Sequence, residues 1–161
     1  MIINGEKIRL GDQMCFRFYT LSRLVIQTYE PYFKKIGITY TQYLVLIVLW
    51  EQDERPINDI CSKLLLGINT VSPLIKRMES SGLVGRHGSE TDKRKQIVFL
   101  TEKGRLLEKT ISEARMEMLN SLEGSDVLGE RLLQIKPTLD EFISYFSNYE
   151  QLCRHAQGHQ T

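Results

Sequence analysis

The chain carries three cysteines, Cys15, Cys61 and Cys153, spaced too widely for a CxxC pair and too few for a disulfide framework. Each therefore has to be weighed as a single thiol. Cys15 lies at the start of an amphipathic stretch that begins at Asp12. With Asp12 as N-cap it falls at the third helical position, where the positive end of the helix dipole favours the thiolate. A thiolate can attack a peroxide oxygen and become a sulfenic acid. The competing reading is an inert cysteine in an apolar interface. Cys61 shares a helix face with Ile57, Ile60 and Leu64 and reads as core. His155 and His159 have the i, i+4 spacing of a metal pair, but Gly158 and the chain end favour a polar tail. No metal and no cofactor are expected.

The second constellation is cationic. From Lys63 to Lys109 there are ten Lys/Arg against five Asp/Glu, a balance of +5, while the remainder has eleven against fifteen, a balance of −4. Neutralising phosphates supplies most non-specific affinity for DNA, so this asymmetry matters more than the net charge of +1. Ser89-Glu90-Thr91-Asp92-Lys93-Arg94-Lys95 puts three consecutive cations in a loop between two short extended runs, where no core needs them. Arg94 is suited to a narrow minor groove, Lys93 and Lys95 to phosphates, and Asp92 to orienting Arg94. Just upstream, Val71, Leu74, Ile75 and Met78 form one inward face of a helix. That leaves Asn69, Thr70, Ser72, Lys76 and Arg77 outside. Short hydroxyl and amide groups at a helix start suit base edges, and cations further along suit phosphates. An isolated Lys-Arg pair is most simply a solvated face. The cationic loop beside it shifts the balance to DNA.

Positioning these groups takes a definite order of elements. A first helix is expected from about Asp12 to Lys35, with Phe18, Leu21, Val25, Tyr29 and Tyr32 at helical spacing, ended by Gly37. Thr39 and Gln42 form a capping box, with Ile38 and Tyr43 as its hydrophobic staple. The helix that follows, to about Trp50, is apolar almost all round and must be buried. Pro56 opens a short helix, Leu65 to Ile68 is a turn, and the helix from Asn69 to Ser81 ends at Gly82. Extended runs at Leu83–His87 and Gln96–Leu100 flank the loop Gly88–Lys95. Thr101 caps a helix to about Leu122. A last helical region reaches about Cys153, with Pro137 expected to kink or divide it and a loose tail from Arg154. The chain is mainly α with a small β-hairpin wing, the plan of a winged helix-turn-helix. Its 161 residues, 42% hydrophobic and 25% charged, suit one ordinary folded unit. No apolar run has the length of a membrane span or the core of a signal peptide, so a cytoplasmic protein without a membrane role is expected.

Asp92-x-Arg94-x5-Leu100-Thr101-x-x-Gly104 resembles the wing signature of the MarR family of bacterial regulators, and Ser72 to Val84 resembles that family's recognition helix. The likeness runs from about Asp12 to Leu122. It implies an intertwined, triangular homodimer, with residues 1–36 and 105–161 as dimerisation helices around a DNA-binding lobe at 37–104. A narrower resemblance, at Gln13 to Phe16 and Gly37 to Leu46, is to the organic-hydroperoxide-sensing branch. In that branch a cysteine near the start of the first helix is the reactive thiol, and two tyrosine hydroxyls hydrogen-bond its sulfur. The matching positions are Cys15, Tyr29 and Tyr40. Thr41 departs from the usual Pro, and Gly67-Ile68-Asn69 replaces a more polar run. Tyr19, one turn after Cys15, is a further candidate for the sensor pocket. Cys153 is either a resolving thiol for Cys15 of the other subunit or an apolar residue near a helix end.

The implied function is a repressor on a pseudo-palindromic operator in double-stranded promoter DNA, released when an organic hydroperoxide oxidises Cys15. A small thiol or a second Cys then condenses with the sulfenate. The alternative is a MarR-type repressor released by a phenolic or other small ligand. A thiol peroxidase lacks the cluster of acid, base and oxyanion groups that turnover needs, so no enzyme is expected. A protein-interaction module is opposed by the basic wing.

Overall fold

The computed structural model describes residues 8–89, 92, 95–121 and 125–158. Helix α1 spans Met14–Ile36 and α2 Tyr40–Glu51; strand β1, Arg55–Pro56, leads into α3, Ile57–Leu64, and α4, Ile68–Ser80. Strands β2, Val84–Gly88, and β3, Gln96–Leu100, precede α5, Glu102–Ser121, and α6, Ser125–Gly158.

The start of α1 differs from expectation. Leu10–Asp12 form a 3-10 turn, with the Asp12 N–H donating to the Arg9 carbonyl and the Gln13 N–H to that of Leu10, both at 3.2 Å. Gln13 becomes the N-cap, without a side-chain cap bond, and Cys15 moves to the second helical position. It is still within the first turn, where backbone N–H groups have no partner inside the helix. Gly37, at φ 80°, closes α1 in the left-handed region, and its N–H donates to the Phe33 carbonyl at 2.9 Å.

The capping box of α2 forms as its sequence specifies. The Gln42 N–H donates to Thr39 Oγ1 at 3.3 Å and the Thr39 N–H to Gln42 Oε1 at 2.8 Å. Ile38 and Tyr43 are both buried beside it. The rest of α2 is the centre of the core. Val45, Leu46 and Leu49 are fully buried against Ile60 of α3, the inner face of α4 (Val71, Leu74, Ile75, Met78), and Val98 of β3. Phe33 from α1 and Ile111 from α5 close its edges.

The hairpin is part of a three-stranded antiparallel sheet in the order β1-β3-β2, with Val84 opposite Leu100 and Gly88 opposite Gln96. The sequence reading lacks the third strand, because two residues show no period. Arg55 lies opposite Val98 and Pro56 opposite Ile97. Pro56, having no N–H to give a ladder, sits on an edge strand and also serves as N-cap of α3.

Of the kink or division expected at Pro137, the division does not occur: α6 runs through Pro137, as α1 runs through Pro31. A proline removes one ladder bond, and the turns on either side carry the helix past it. Nor does order stop at Arg154, since the helix continues to Gly158. The apolar stripes of these two helices stay uncovered in a single chain. Phe18, Leu21 and Val25 of α1, and Leu132, Phe142 and Phe146 of α6, are all exposed. Among the described residues no helix is long and apolar enough to cross a membrane.

Candidate functional site

The candidate DNA-reading face comes first. Gly67 is the N-cap of α4, with no side-chain cap bond, so the polar side chains of the first turn are not consumed in capping. Asn69 and Thr70 are exposed there, Ser72 is half-buried, and Lys76 and Arg77 are exposed further along. Behind them Val71, Ile75 and Met78 are fully buried, which fixes the rotation of the helix.

The wing is tied at its tip. The Ser89 N–H donates to the Lys95 carbonyl at 2.9 Å, the Lys95 N–H to that of Asp92 at 2.8 Å, and the Asp92 N–H to Ser89 Oγ at 3.4 Å. Lys95 is exposed and Asp92 half-buried, whereas Lys93 and Arg94 lie outside the described residues. Wing and reading helix are cross-braced by residues the sequence reading missed. Arg86 on β2 donates to Glu79 Oε2 on α4 through Nε at 3.0 Å and Nη2 at 2.5 Å. Lys103 Nζ donates to the Ser81 carbonyl at 2.9 Å, and Thr101 Oγ1 to that of Gly82 at 2.6 Å. Gly104 allows this closeness, because a Cβ there would lie 2.1 Å from the Leu83 carbonyl oxygen.

The second candidate region is aromatic. Tyr29 packs on Phe33 at 5.2 Å between ring centroids, on Tyr40 at 5.4 Å and on Tyr43 at 6.2 Å. Burial pushes the Tyr40 phenol above its usual range, with Tyr29 adding to the effect, so its hydroxyl keeps its proton at neutral pH and can donate. Tyr43 is raised as well, chiefly by burial, against an opposing pull from Arg115. Two grooves open beside Tyr40. One of about 600 Å³ is lined by Ile26, Glu30, Phe33, Lys34 and Thr39. The other, of about 640 Å³ and mostly apolar, lies between Phe18, Leu21 and Val25 of α1 and Phe142 and Phe146 of α6.

Cys15 and Tyr19 are exposed near the start of α1. Tyr29 is on the same helix, roughly 21 Å further along at 1.5 Å per residue. One protomer therefore does not bring its own Cys15 to its own Tyr29. Cys61 is half-buried and its thiol is pushed up by that burial, in keeping with a core role. Cys153 belongs to the backbone of α6, but its side chain lies outside the described residues. Among the described residues no three His, Cys, Asp or Glu side chains gather to hold a metal ion.

A helix-turn-helix packed on a buried α2, with a reading face outside and a braced β-hairpin beside it, defines a winged-helix regulator. The profile of the SarA/Rot transcriptional regulators matches residues 27–111, and the chain belongs to this MarR-like family. It is 37% identical over 135 residues to the organic hydroperoxide resistance transcriptional regulator of Bacillus subtilis (strain 168), covering 83% of this chain and 89% of that one. To the HTH-type transcriptional regulator MgrA of Staphylococcus aureus it is 39% identical over 111 residues, 68% of this chain and 76% of the other. Among solved structures it is similar to reduced AbfR bound to DNA, with a TM-score of 0.66 and 41% identity over 84% of this chain and 96% of that one; AbfR has also been solved as the Staphylococcus epidermidis protein. The chain is a transcriptional regulator of the MarR/SarA type.

Proposed function

We propose that this regulator is a cytoplasmic homodimeric repressor that binds a pseudo-palindromic operator and leaves it when an organic hydroperoxide oxidises Cys15. One observation carries the sensing half. Tyr29 and Tyr40, with ring centroids 5.4 Å apart, form a phenol pair whose Tyr29 lies roughly 21 Å along α1 from Cys15 of the same chain. A second α1 running antiparallel to the first brings Cys15 of the partner subunit towards that pair, and the exposed apolar stripes of α1 and α6 give such a dimer its interface. Residues 1–36 and 105–161 then serve dimerisation and 37–104 reads DNA. The relatives support the reading, one being named for organic hydroperoxide resistance and another solved on DNA in a reduced form.

The chemistry balances simply. The Cys15 thiolate attacks the terminal peroxide oxygen, the O–O bond breaks, and the organic alkoxide leaves and takes a proton as alcohol. Sulfur holds the oxygen as sulfenic acid. Phenol O–H groups from Tyr29 and Tyr40 donate to the sulfur and steady its anion. A small thiol, or Cys153, then displaces water from the sulfenic acid to form a disulfide. The added bulk has to be housed where α1 meets α2, and it changes the separation of two reading heads that must meet half-sites about one helical turn apart. A second reading, release by a phenolic or other small ligand, has its own support in the apolar groove of about 640 Å³ beside Tyr40.

The test is a titration of operator-bound protein with an alkyl hydroperoxide, followed by fluorescence anisotropy and intact mass on the same sample. Release that tracks a single adduct mapped to Cys15 is the expected result. Release with Cys15 unmodified hands the mechanism to the small-ligand reading.

A further inference from the structure

β1 begins two residues too late to serve all of β3. Its register, Arg55 opposite Val98 and Pro56 opposite Ile97, carries on to place position 53 opposite Leu100. The backbone does not continue there, because Glu54 turns away at φ 57°. Instead the Asp53 side chain substitutes for the missing strand. Its Oδ1 accepts the Leu100 N–H at 2.8 Å and the Glu54 N–H at 2.9 Å, and its Oδ2 accepts Arg105 Nη2 at 2.7 Å. Leu100 is the last residue of the wing and Arg105 lies in the first turn of α5. Between them, Thr101 and Lys103 hold the carbonyls that end the recognition helix. Asp53 comes just after α2, the helix whose first turn carries Tyr40 and whose Trp50 Nε1 donates to the Gly104 carbonyl at 3.1 Å. One carboxylate thus joins the end of α2, the root of the wing and the start of α5.

We infer that Asp53 is a positioning residue for DNA binding, fixing the wing root to the end of α2 so that the wing cations reach the duplex. The inference rests on the proposed DNA-binding reading, in which Arg94 is a wing contact and Lys76 a contact of the recognition helix. Without Asp53, the Leu100 N–H and the Arg105 guanidinium lose their shared acceptor, and the wing root loses its carboxylate tie to the end of α2. Contacts made by α4 are spared, because its core face is held by Val71, Ile75 and Met78.

The experiment is a mutant cycle on operator DNA, read by anisotropy over a range of salt with the intact dimer. Asp53→Ala is combined in turn with Arg94→Ala and Lys76→Ala. Asp53→Ala alone is expected to weaken binding about tenfold and to lower the salt slope by roughly one to two units, as lost phosphate contacts do. In its presence Arg94→Ala should cost almost nothing more, whereas Lys76→Ala should keep its full effect. A merely destabilised protein lowers the active fraction and leaves the slope unchanged. Should Asp53→Ala fail to fold, Arg105→Ala removes one bond of the three from an exposed position and is expected to shift the same quantities in the same direction. An unchanged slope together with an undiminished Arg94→Ala effect overturns the inference. If Arg94→Ala costs nothing in the otherwise unaltered protein, the wing reading itself fails and takes the inference with it.

Discussion

At the scale of single residues, the proposed reading and anchoring roles separate by chemistry. Thr70 and Ser72 offer short hydroxyls near the start of α4, so Thr70→Ala or Ser72→Ala is expected to shift preference among operator variants by about 1–3 kcal/mol per lost base contact. Lys76→Ala should weaken every sequence alike, and binding across a panel of single-base operator variants distinguishes the two patterns. At the wing, Arg94→Ala should weaken binding strongly with the dimer intact, and Lys95→Ala should flatten the salt slope by about one unit. On the sensor side, Tyr29→Phe and Tyr40→Phe should keep DNA binding and slow the peroxide response, measured as the rate of release after mixing. The outer face of α4 was legible in the sequence, because residue type and helical spacing are enough to separate it from the buried Val71, Leu74, Ile75 and Met78. The braces were not. Asp53 with Arg105, and Glu79 with Arg86, join residues on different elements, and nothing local marks such a pair before the chain is folded.

At the scale of elements, the two glycines that close the lobe make the sharpest stability test. A Cβ at Gly104 would sit 2.1 Å from the Leu83 carbonyl oxygen, a backbone atom that cannot rotate aside. Gly104→Ala is therefore expected to cost about 3 kcal/mol and lower the melting temperature, as overpacking does. Gly85 faces the Phe99 ring, whose edges can shift, so Gly85→Ala should cost less. The wing root also has a pH dependence. Partial burial raises the Asp53 pKa, but the Arg105 bond and two backbone N–H bonds outweigh it, and the net value lies below the usual one. A depressed folded pKa gives stability that is complete above the unfolded value, about 4, and disappears as pH falls through the folded value. The protection of the Leu100 amide from exchange, relative to the unfolded chain at the same pH, should fall in that acid range, and Asp53→Asn should remove the acid dependence. Elements with a strong local signal were legible from the sequence, the capped and mostly apolar α2 above all. β1 was not, since two residues carry no periodicity and its existence depends on β3 lying beside it. Pro137 does not divide α6, because the turns on either side of it carry the helix on.

At the scale of the whole molecule, a single chain has one good core and two helices that lack cover. Core residues cluster from Phe33 to Ile111, while α1 and α6 expose Phe18, Leu21, Phe142, Ile143 and Phe146. Placing a charge on this surface, as in Phe142→Glu, is expected to shift the protein from dimer to monomer in sedimentation velocity and to abolish tight operator binding, with the lobe still folded by circular dichroism. The proposed dimer also joins groups that a single chain keeps apart: phenols at Tyr29 and Tyr40, and a thiol about 21 Å from Tyr29 along the same helix. On the proposed function, regulation consists of moving two reading heads that share one helical frame. The most direct measurement is operator release by an alkyl hydroperoxide, compared between the unaltered protein and Cys15→Ser by anisotropy. Both should bind the operator equally well when reduced, and only the unaltered protein should let go. Release of Cys15→Ser at the same peroxide concentration and rate would contradict the account, because the sensor would then lie elsewhere than Cys15.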